Sequence, residues 1–395
     1  MNKSLPLRGI QGVQFWRDER FQRLLGQLIF LALLAVLLGY LGRNMLANLS
    51  QQGLGLGFDF LPLTAGFDIG EHLIPYSRSS SFLRALMVGL LNTTQVAGLG
   101  IFLATILGVI LGVARLSTNF LVQQIARLYI EFLRNIPLLV LLYFLFSGVF
   151  IKLPRVKEAI ILPGPVLLTN RGVAFPWGIP TETFSLYLRI LGVAALLAIA
   201  IYAGLLWYTH CTGRGPLAWL WSFLAFLVIA ALGWITLPNP PLAWEIPSLQ
   251  GLRISGGRQF SPEFMALLSG LVIYTSAFIA DVVRAGIQAV SRGQVEAAKS
   301  LGLTTIQTLR LVVFPQALRV IVPPLTSQYL NLTKNSSLAV AIGYPELFHV
   351  SGTILNQSGR AVEVITLVMA FYLSISLLTS AFMNWYNRRV RLVER

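Results

Sequence analysis

The sequence predicts an all-α integral membrane protein of about eight transmembrane helices, and three observations predict it. Uncharged apolar runs of about 20 residues, the length needed to cross a hydrocarbon core, recur along the chain. Only 11% of its 395 residues are charged, against about 25% in soluble domains. Most of the 30 Lys and Arg residues lie between the apolar runs. That distribution sets membrane topology; nucleic acid is not an expected partner.

The elements follow in order. The first span is expected at residues 24–41. Residues 1–23 are too long and polar for an ordinary signal n-region, and no small-residue cleavage site ends the run, so an uncleaved anchor is expected. The second span, 86–114, carries Gly100, Ala104, Gly108 and Gly112. Small residues every four positions make a smooth stripe for helix packing. A third span is expected at 136–151. Spans at 186–207 and 217–237 form a hairpin with a short turn, "HCTGRGP", and almost no polar residues. The Pro-, Gly- and Trp-rich stretches 151–184 and 238–262 flank it as extramembrane connections, so the hairpin reads as an insertion. Spans at 264–283, 320–343 and 364–386 complete the set, and no internal repeat is visible.

An even number of spans puts both termini on one side. About 18 of the 30 basic residues fall on that side, including Arg115, Arg127, Arg284 and Arg310, against about 10 in the opposite loops. Both termini and the loop after the sixth span are therefore expected in the cytoplasm.

That loop contains "EAAKSLGLTTIQTLRLVVFPQAL", residues 296–318. Ser291 with Gln294, and Thr304 with Gln307, fit capping boxes. Gly302 fits the left-handed position that ends a helix. Pro315 is expected to stop the second helix at Phe314. The first helix is roughly 15 Å long. Ala297 and Ala298 leave a low face, with Leu301 as a knob, Glu296 as a single acid and Lys299 beside them. Such a face suits either a groove in another protein or a lipid surface.

The same residues carry a family resemblance. "EAAKSLG", followed nine residues later by "VVFP", resembles the EAA loop of ABC importer permeases. Glu296, Ala297, Ala298, Gly302 and Pro315 match its pattern; Val312 stands for the usual Ile and Phe314 for the usual Leu. "YIEFLRNIPLLVLLYF" and "NLTKNSSLAVAIGYPEL" resemble segments of the polar amino-acid branch. The extra first span, the inserted hairpin and the "RNIP" form resemble the larger permease of general L-amino-acid systems.

The resemblance implies a type I importer core split between 86–151 and 263–386. Around it lie an N-terminal segment (1–23), an extra helix and loop (24–85), an insertion (152–262) and a basic tail (387–395), with the coupling loop at 284–318. It implies a bacterial inner-membrane permease that moves polar, acidic or neutral L-amino acids from periplasm to cytoplasm. Glu296, Ala297, Ala298, Lys299, Leu301, Gly302 and Pro315 would meet a dimeric ATPase subunit, which binds the ATP and Mg; this chain needs no cofactor. A second homologous permease subunit, giving a heterodimer, and a periplasmic amino-acid-binding protein are the other partners implied, with membrane lipid around them.

Covalent chemistry has no foothold. There is no G-x-x-x-x-G-K-[ST] loop, no Ser/His/Asp set and no carboxylate pair, so the chain is not expected to be an enzyme. The lone Cys211 excludes an intrachain disulfide, and His72, His210 and His349 lack ligand spacing. An ion-coupled secondary transporter of small polar solutes is the alternative, and it requires an intramembrane ionisable site. Glu131 with Arg134, and Asp281 with Arg284, read instead as structural i,i+3 pairs, and Glu363 as interfacial. The densest intramembrane polar set includes Lys334, Asn335, Ser336 and Ser337. Lys334 could meet a substrate carboxylate and its neighbours could supply neutral hydrogen bonds; equally, the set could join helices while Lys334 snorkels. Asn92, Thr93 and Tyr274 are further pathway candidates.

Overall fold

The computed structural model describes residues 19–51, 57–213, 215, 217–251 and 253–390. Residues 1–18, Arg214 and the tail 391–395, which contribute to the orientation argument, lie outside the described residues. Seven described helices are long and apolar enough to cross a membrane, and an eighth crossing forms if one bent pair counts as a span.

The single long helices are α1 (Glu19–Gln51) and α2 (Phe82–Ala114). Next comes the bent pair, α3 (Phe120–Arg134) and α4 (Leu138–Phe144), the latter continued by π-helical turns over Leu145–Phe150. The axes of the pair differ by 104°. The expected third span, 136–151, is therefore only a short rod of about 20 Å, and the residues before it are helical. Pro137 explains the break. It has φ −61° and ψ 130°, supplies no N–H, and disfavours helix at Ile136.

A helical hairpin follows, α5 (Phe184–Thr212) and α6 (Ala218–Thr236), then α7 (Pro262–Gln288), α8 (Arg292–Ser300) and α9 (Thr305–Thr308). α10 (Phe314–Asn335) runs into 3-10 turns at Ser336–Ile342, and α11 (Leu347–Ser358) and α12 (Ala361–Val390) end the chain.

The core lies where α2, α7 and α10 nest. A Cβ on Gly108 would sit 2.6 Å from the Ile279 Cβ, and one on Gly112 only 2.7 Å from the Ala280 carbonyl oxygen. Ala104 is fully buried in the same stripe. Gly100 faces Leu332 of α10, 3.2 Å from a notional Cβ. Absent side chains let the α2 and α7 backbones touch, and close packing is the main attraction between helices in lipid.

The connections around the hairpin do more than connect. β1 (Ile160–Leu162), β2 (Val166–Thr169), β3 (Gly172–Phe175) and β8 (Arg258–Phe260) form a four-stranded antiparallel sheet in that order. The pair Val173↔Phe260 zips together the chain entering and leaving the insertion. β4 (Trp177–Pro180) with β5 (Leu242–Glu245), and β6 (Ser248–Gln250) with β7 (Arg253–Ser255), add two ribbons. Phe260 stacks on Phe264 at 4.7 Å, fixing the sheet to the start of α7. α5 and α6 pack chiefly on each other, while the α1 span buries none of its residues.

The bundle thus has two distinct ends. The β-bearing end collects the segment before α2, the sheets and the bend before α11. The opposite end, named the coupling end for the role expected of residues 284–318, collects the α2–α3 turn, the α5–α6 turn, α8, α9 and the end of α12.

Candidate functional site

The coupling end is built by local signals. α8 starts at Arg292 after Ser291, as the sequence predicts, but Ser291 makes no side-chain cap; Gln294 instead donates its N–H to the Ser291 carbonyl at 3.1 Å. Leu301 follows as C-cap and Gly302 takes φ +79°. The Gly302 N–H reaches the Lys299 carbonyl at 2.9 Å and the Leu303 N–H reaches the Ala298 carbonyl at 3.2 Å. Those two bonds close a Schellman turn. Thr304 and Gln307 then form a complete capping box.

Pro315 does not end the second helix. Leu309–Val313 widens into π-helical turns and α10 continues directly through Pro315. A wider turn absorbs the missing N–H and the clash with the carbonyl four residues back. The low face of α8 also divides. Ala298 is buried, whereas Glu296, Ala297 and Lys299 are exposed. Leu301 stands 83% exposed, and Ile306 joins it at 78%. Ile306 escaped the sequence reading, although its place two residues past the N-cap Thr304 was a signal.

Charged residues brace this end. Arg134 of α3 reaches Asp281 of α7 at 2.8 Å, and Arg284 reaches the same carboxylate at 2.8 Å. The expected Glu131–Arg134 pair does not form. Glu131 accepts from Arg127, one turn earlier, at 2.8 Å and lies 3.6 Å from Arg115. Arg134 is thereby free to join α3 to α7.

The pathway candidates separate into two groups. Lys334 and Asn331 are exposed on one side of α10, with Asn335 and Ser337 half-buried. Ser336 is fully buried and donates to the Thr333 carbonyl at 2.7 Å. Tyr274 is half-buried against Phe278, 5.0 Å between ring centroids.

The other group is a buried polar knot. Asn92 is fully buried and its amide donates to the Glu71 and Pro345 carbonyls at 2.8 and 2.9 Å. The Thr93 hydroxyl accepts the Leu347 N–H at 3.0 Å. Glu346, fully buried, caps α11 by accepting the Phe348 and His349 N–H groups, and also accepts from the Tyr372 hydroxyl at 2.8 Å. These contacts hold α2, α11 and α12 together, so Asn92 and Thr93 act as helix glue in this structure. Glu346 and Tyr372 went unread because nothing local links residues so far apart. Glu363 is likewise buried, accepting the Gly57 N–H at 3.1 Å and lying 3.6 Å from Arg360, rather than facing an open interface.

Comparison with known proteins fits this architecture. Residues 216–392 match the family model described as the binding-protein-dependent transport system inner membrane component. The chain is 43% identical over 382 residues to the general L-amino acid transport system permease protein AapQ of Rhizobium johnstonii, covering 96% of this chain and 94% of that one. This chain belongs to the amino-acid ABC transporter permease family. The permease is also 44% identical over 373 residues to the putative amino-acid ABC transporter permease protein YhdX of Escherichia coli, covering 92% and 93% of the two chains. To the glutamate/glutamine/aspartate/asparagine transport system permease protein BztB of Rhodobacter capsulatus it is 42% identical over 427 residues, covering 99% and 98%. Matches of that extent go well beyond the core, so the permease shares nearly its full length with these relatives.

Proposed function

We propose that the permease carries L-amino acids inward across a bacterial inner membrane, driven by ATP that a separate subunit hydrolyses after docking on α8 and α9. The observation that carries this reading is the coupling turn. Leu301 and Ile306 project from a turn fixed by a Schellman motif on one side and a capping box on the other. A rigid turn with two bare aliphatic side chains favours a protein groove over a loose lipid contact. The turn feeds without interruption into α10, which bears Lys334.

In this reading ATP and Mg belong to the partner, and the permease itself is not an enzyme. The exposed Asn331 and Lys334 side of α10 supports a second permease subunit there, because polar side chains in a span rarely face lipid. The names of the relatives support broad amino-acid selection, a soluble binding protein delivering the substrate at the β-bearing end. Both termini face the cytoplasm.

The test is Leu301→Glu with Ile306→Glu in the assembled transporter. Both sites are exposed, so assembly of the membrane domain should persist while ATP-driven uptake is lost. Normal ATP-driven uptake by the double variant would overturn the docking role, and uptake that follows an ion gradient without ATP would favour secondary transport.

A further inference from the structure

α5 and α6 pack chiefly on each other, and the outer surface of this hairpin is uniformly apolar. Between Arg189 and His210, α5 has no charged residue, and α6 has none along its whole length. The hydroxyls of Thr209, Thr212, Ser222 and Thr236 donate to carbonyls of their own helices. The Tyr187 hydroxyl donates across the hairpin to the Ala230 carbonyl at 3.3 Å. Protein interfaces carry about one hydrogen bond per 100–200 Å², and these donors are already engaged within the hairpin.

The tryptophans of the hairpin gather at two depths. At the β-bearing end Trp234 meets Tyr187 edge to face, with ring centroids 5.5 Å apart. At the coupling end Trp207 is 73% exposed, and Trp219 and Trp221 are 60% and 56% exposed. Tyr187 and Trp207 are 20 residues apart in α5, which is about 30 Å along a helix. A hydrocarbon core is about 30 Å thick, and Trp and Tyr favour its two boundaries. Trp219 and Trp221, two residues apart, point about 200° apart around α6, and both are bare. A protein partner covers one side of a helix pair, whereas a lipid leaflet surrounds it.

We infer that the inserted hairpin is a lipid-embedded anchor, with bilayer and no partner subunit around it, and that its aromatic rings set its depth. The anchor serves the β-bearing end because the junction between them is stiff. Only Thr181, Glu182 and Thr183 separate β4 from α5. The Thr181 N–H donates to the Pro241 carbonyl and the Thr183 hydroxyl to the Asn239 carbonyl, both at 3.0 Å, closing the ribbon directly above the hairpin. Trp177 of β4 and Phe260 of β8 then hold the Arg258 guanidinium at 5.2 and 5.4 Å from their rings, joining the ribbon to the four-stranded sheet.

The experiment uses the assembled transporter in phospholipid vesicles, with Cys211→Ser and single cysteines carrying the fluorophore NBD. Leu186→Cys, Leu196→Cys and Leu206→Cys step along α5, and Phe223→Cys and Val228→Cys stand on different sides of α6; all five positions are exposed. Phospholipids bearing a nitroxide read lipid contact and depth together. A nitroxide midway along the acyl chain should quench the labels at Leu196, Phe223 and Val228 most, and one at the headgroup should quench those at Leu186 and Leu206 most. A position that neither lipid quenches is covered by protein and overturns the inference. Deepest quenching at Leu186 or Leu206 would place the rings away from the boundaries and overturn it too. A second pair of variants needs no label. Leu196→Arg sets a charge at mid-depth and should lower the amount of assembled transporter in the membrane several-fold, whereas Leu206→Arg can snorkel to the boundary beside Trp207 and should be tolerated. Equal loss from the two would point to a disturbed protein surface, and normal assembly with Leu196→Arg would put that side chain outside the hydrocarbon; either result refutes the anchor.

Discussion

Gly302→Ala isolates the coupling turn. Gly302 holds φ +79°, and a Cβ there would meet nothing within 4 Å. Sterics therefore add nothing, and the cost is the left-handed backbone alone, about 1–2 kcal/mol for an L-residue. The bonds at risk are those from the Gly302 and Leu303 N–H groups to the Lys299 and Ala298 carbonyls. Lowering the local opening free energy by that amount should speed amide exchange about 5–30-fold. Hydrogen-exchange mass spectrometry on the purified transporter reads residues 301–303 directly. Gly293→Ala is the matched control. It lies inside α8, also meets nothing within 4 Å, and should gain about 1 kcal/mol of helix propensity, slowing exchange. If the two variants exchange alike, the turn does not depend on a left-handed glycine and the account of its rigidity fails.

Three other outcomes follow from the same structure. Gly108→Ala should destabilise the detergent-solubilised protein by about 1–3 kcal/mol, because the new methyl meets Ile279 at 2.6 Å; Gly98→Ala, with nothing within 4 Å, should not, and equal melting temperatures would deny the close α2–α7 contact. The exposed Cys211 lies in the last turn of α5 at the coupling end, so an impermeant thiol reagent should label it in inverted vesicles and miss it in intact spheroplasts; the reverse result would invert the topology. Lys334→Met should weaken amino-acid uptake while preserving assembly if its ammonium meets substrate, whereas undiminished uptake would leave it a snorkelling cation.

What was legible in the sequence was local. Apolar runs announced the long helices, because each carries its own signal over about 20 residues. Gly302, and Thr304 with Gln307, announced a sharp turn, because both devices close within a few residues. The misreadings share the opposite property. α3 hides because Gln123, Gln124, Arg127 and Glu131 interrupt its apolar pattern, and its sharp bend depends on one proline. The strands are three or four residues long and exist through pairings such as Val173↔Phe260, across the whole inserted hairpin. Ala298 could not be assigned to an inner or outer face without knowing that α8 folds back on the turns at Leu309–Val313. Ser291 shows the reverse limit: its local pattern fits a capping box, and the chain satisfies Gln294 from a backbone carbonyl instead.

The segment Thr305–Ile342 joins the coupling turn to the β-bearing end as one run of 38 residues, about 55–60 Å long. Pro315, Pro323 and Pro324 each remove a backbone donor from it, and proline sites are where long helices bend. Its two ends are fixed by different means. The capped turn grips the lower end, and beyond Gly343, at φ +78°, the buried Glu346 knot grips the upper. Between them, Gly100 on α2 accommodates Leu332, and Gly286 on α7 accommodates Ile321. A rod gripped at both ends and softened between them yields where its donors are missing. Motion imposed on α8 should therefore appear as bending around 315–324, upstream of Lys334. Restoring the donor with Pro323→Ala should stiffen this stretch, slow amide exchange there and reduce coupled uptake without loosening the capped turn. Faster exchange at 301–303 in that variant would show that the rod and the turn are not mechanically separate.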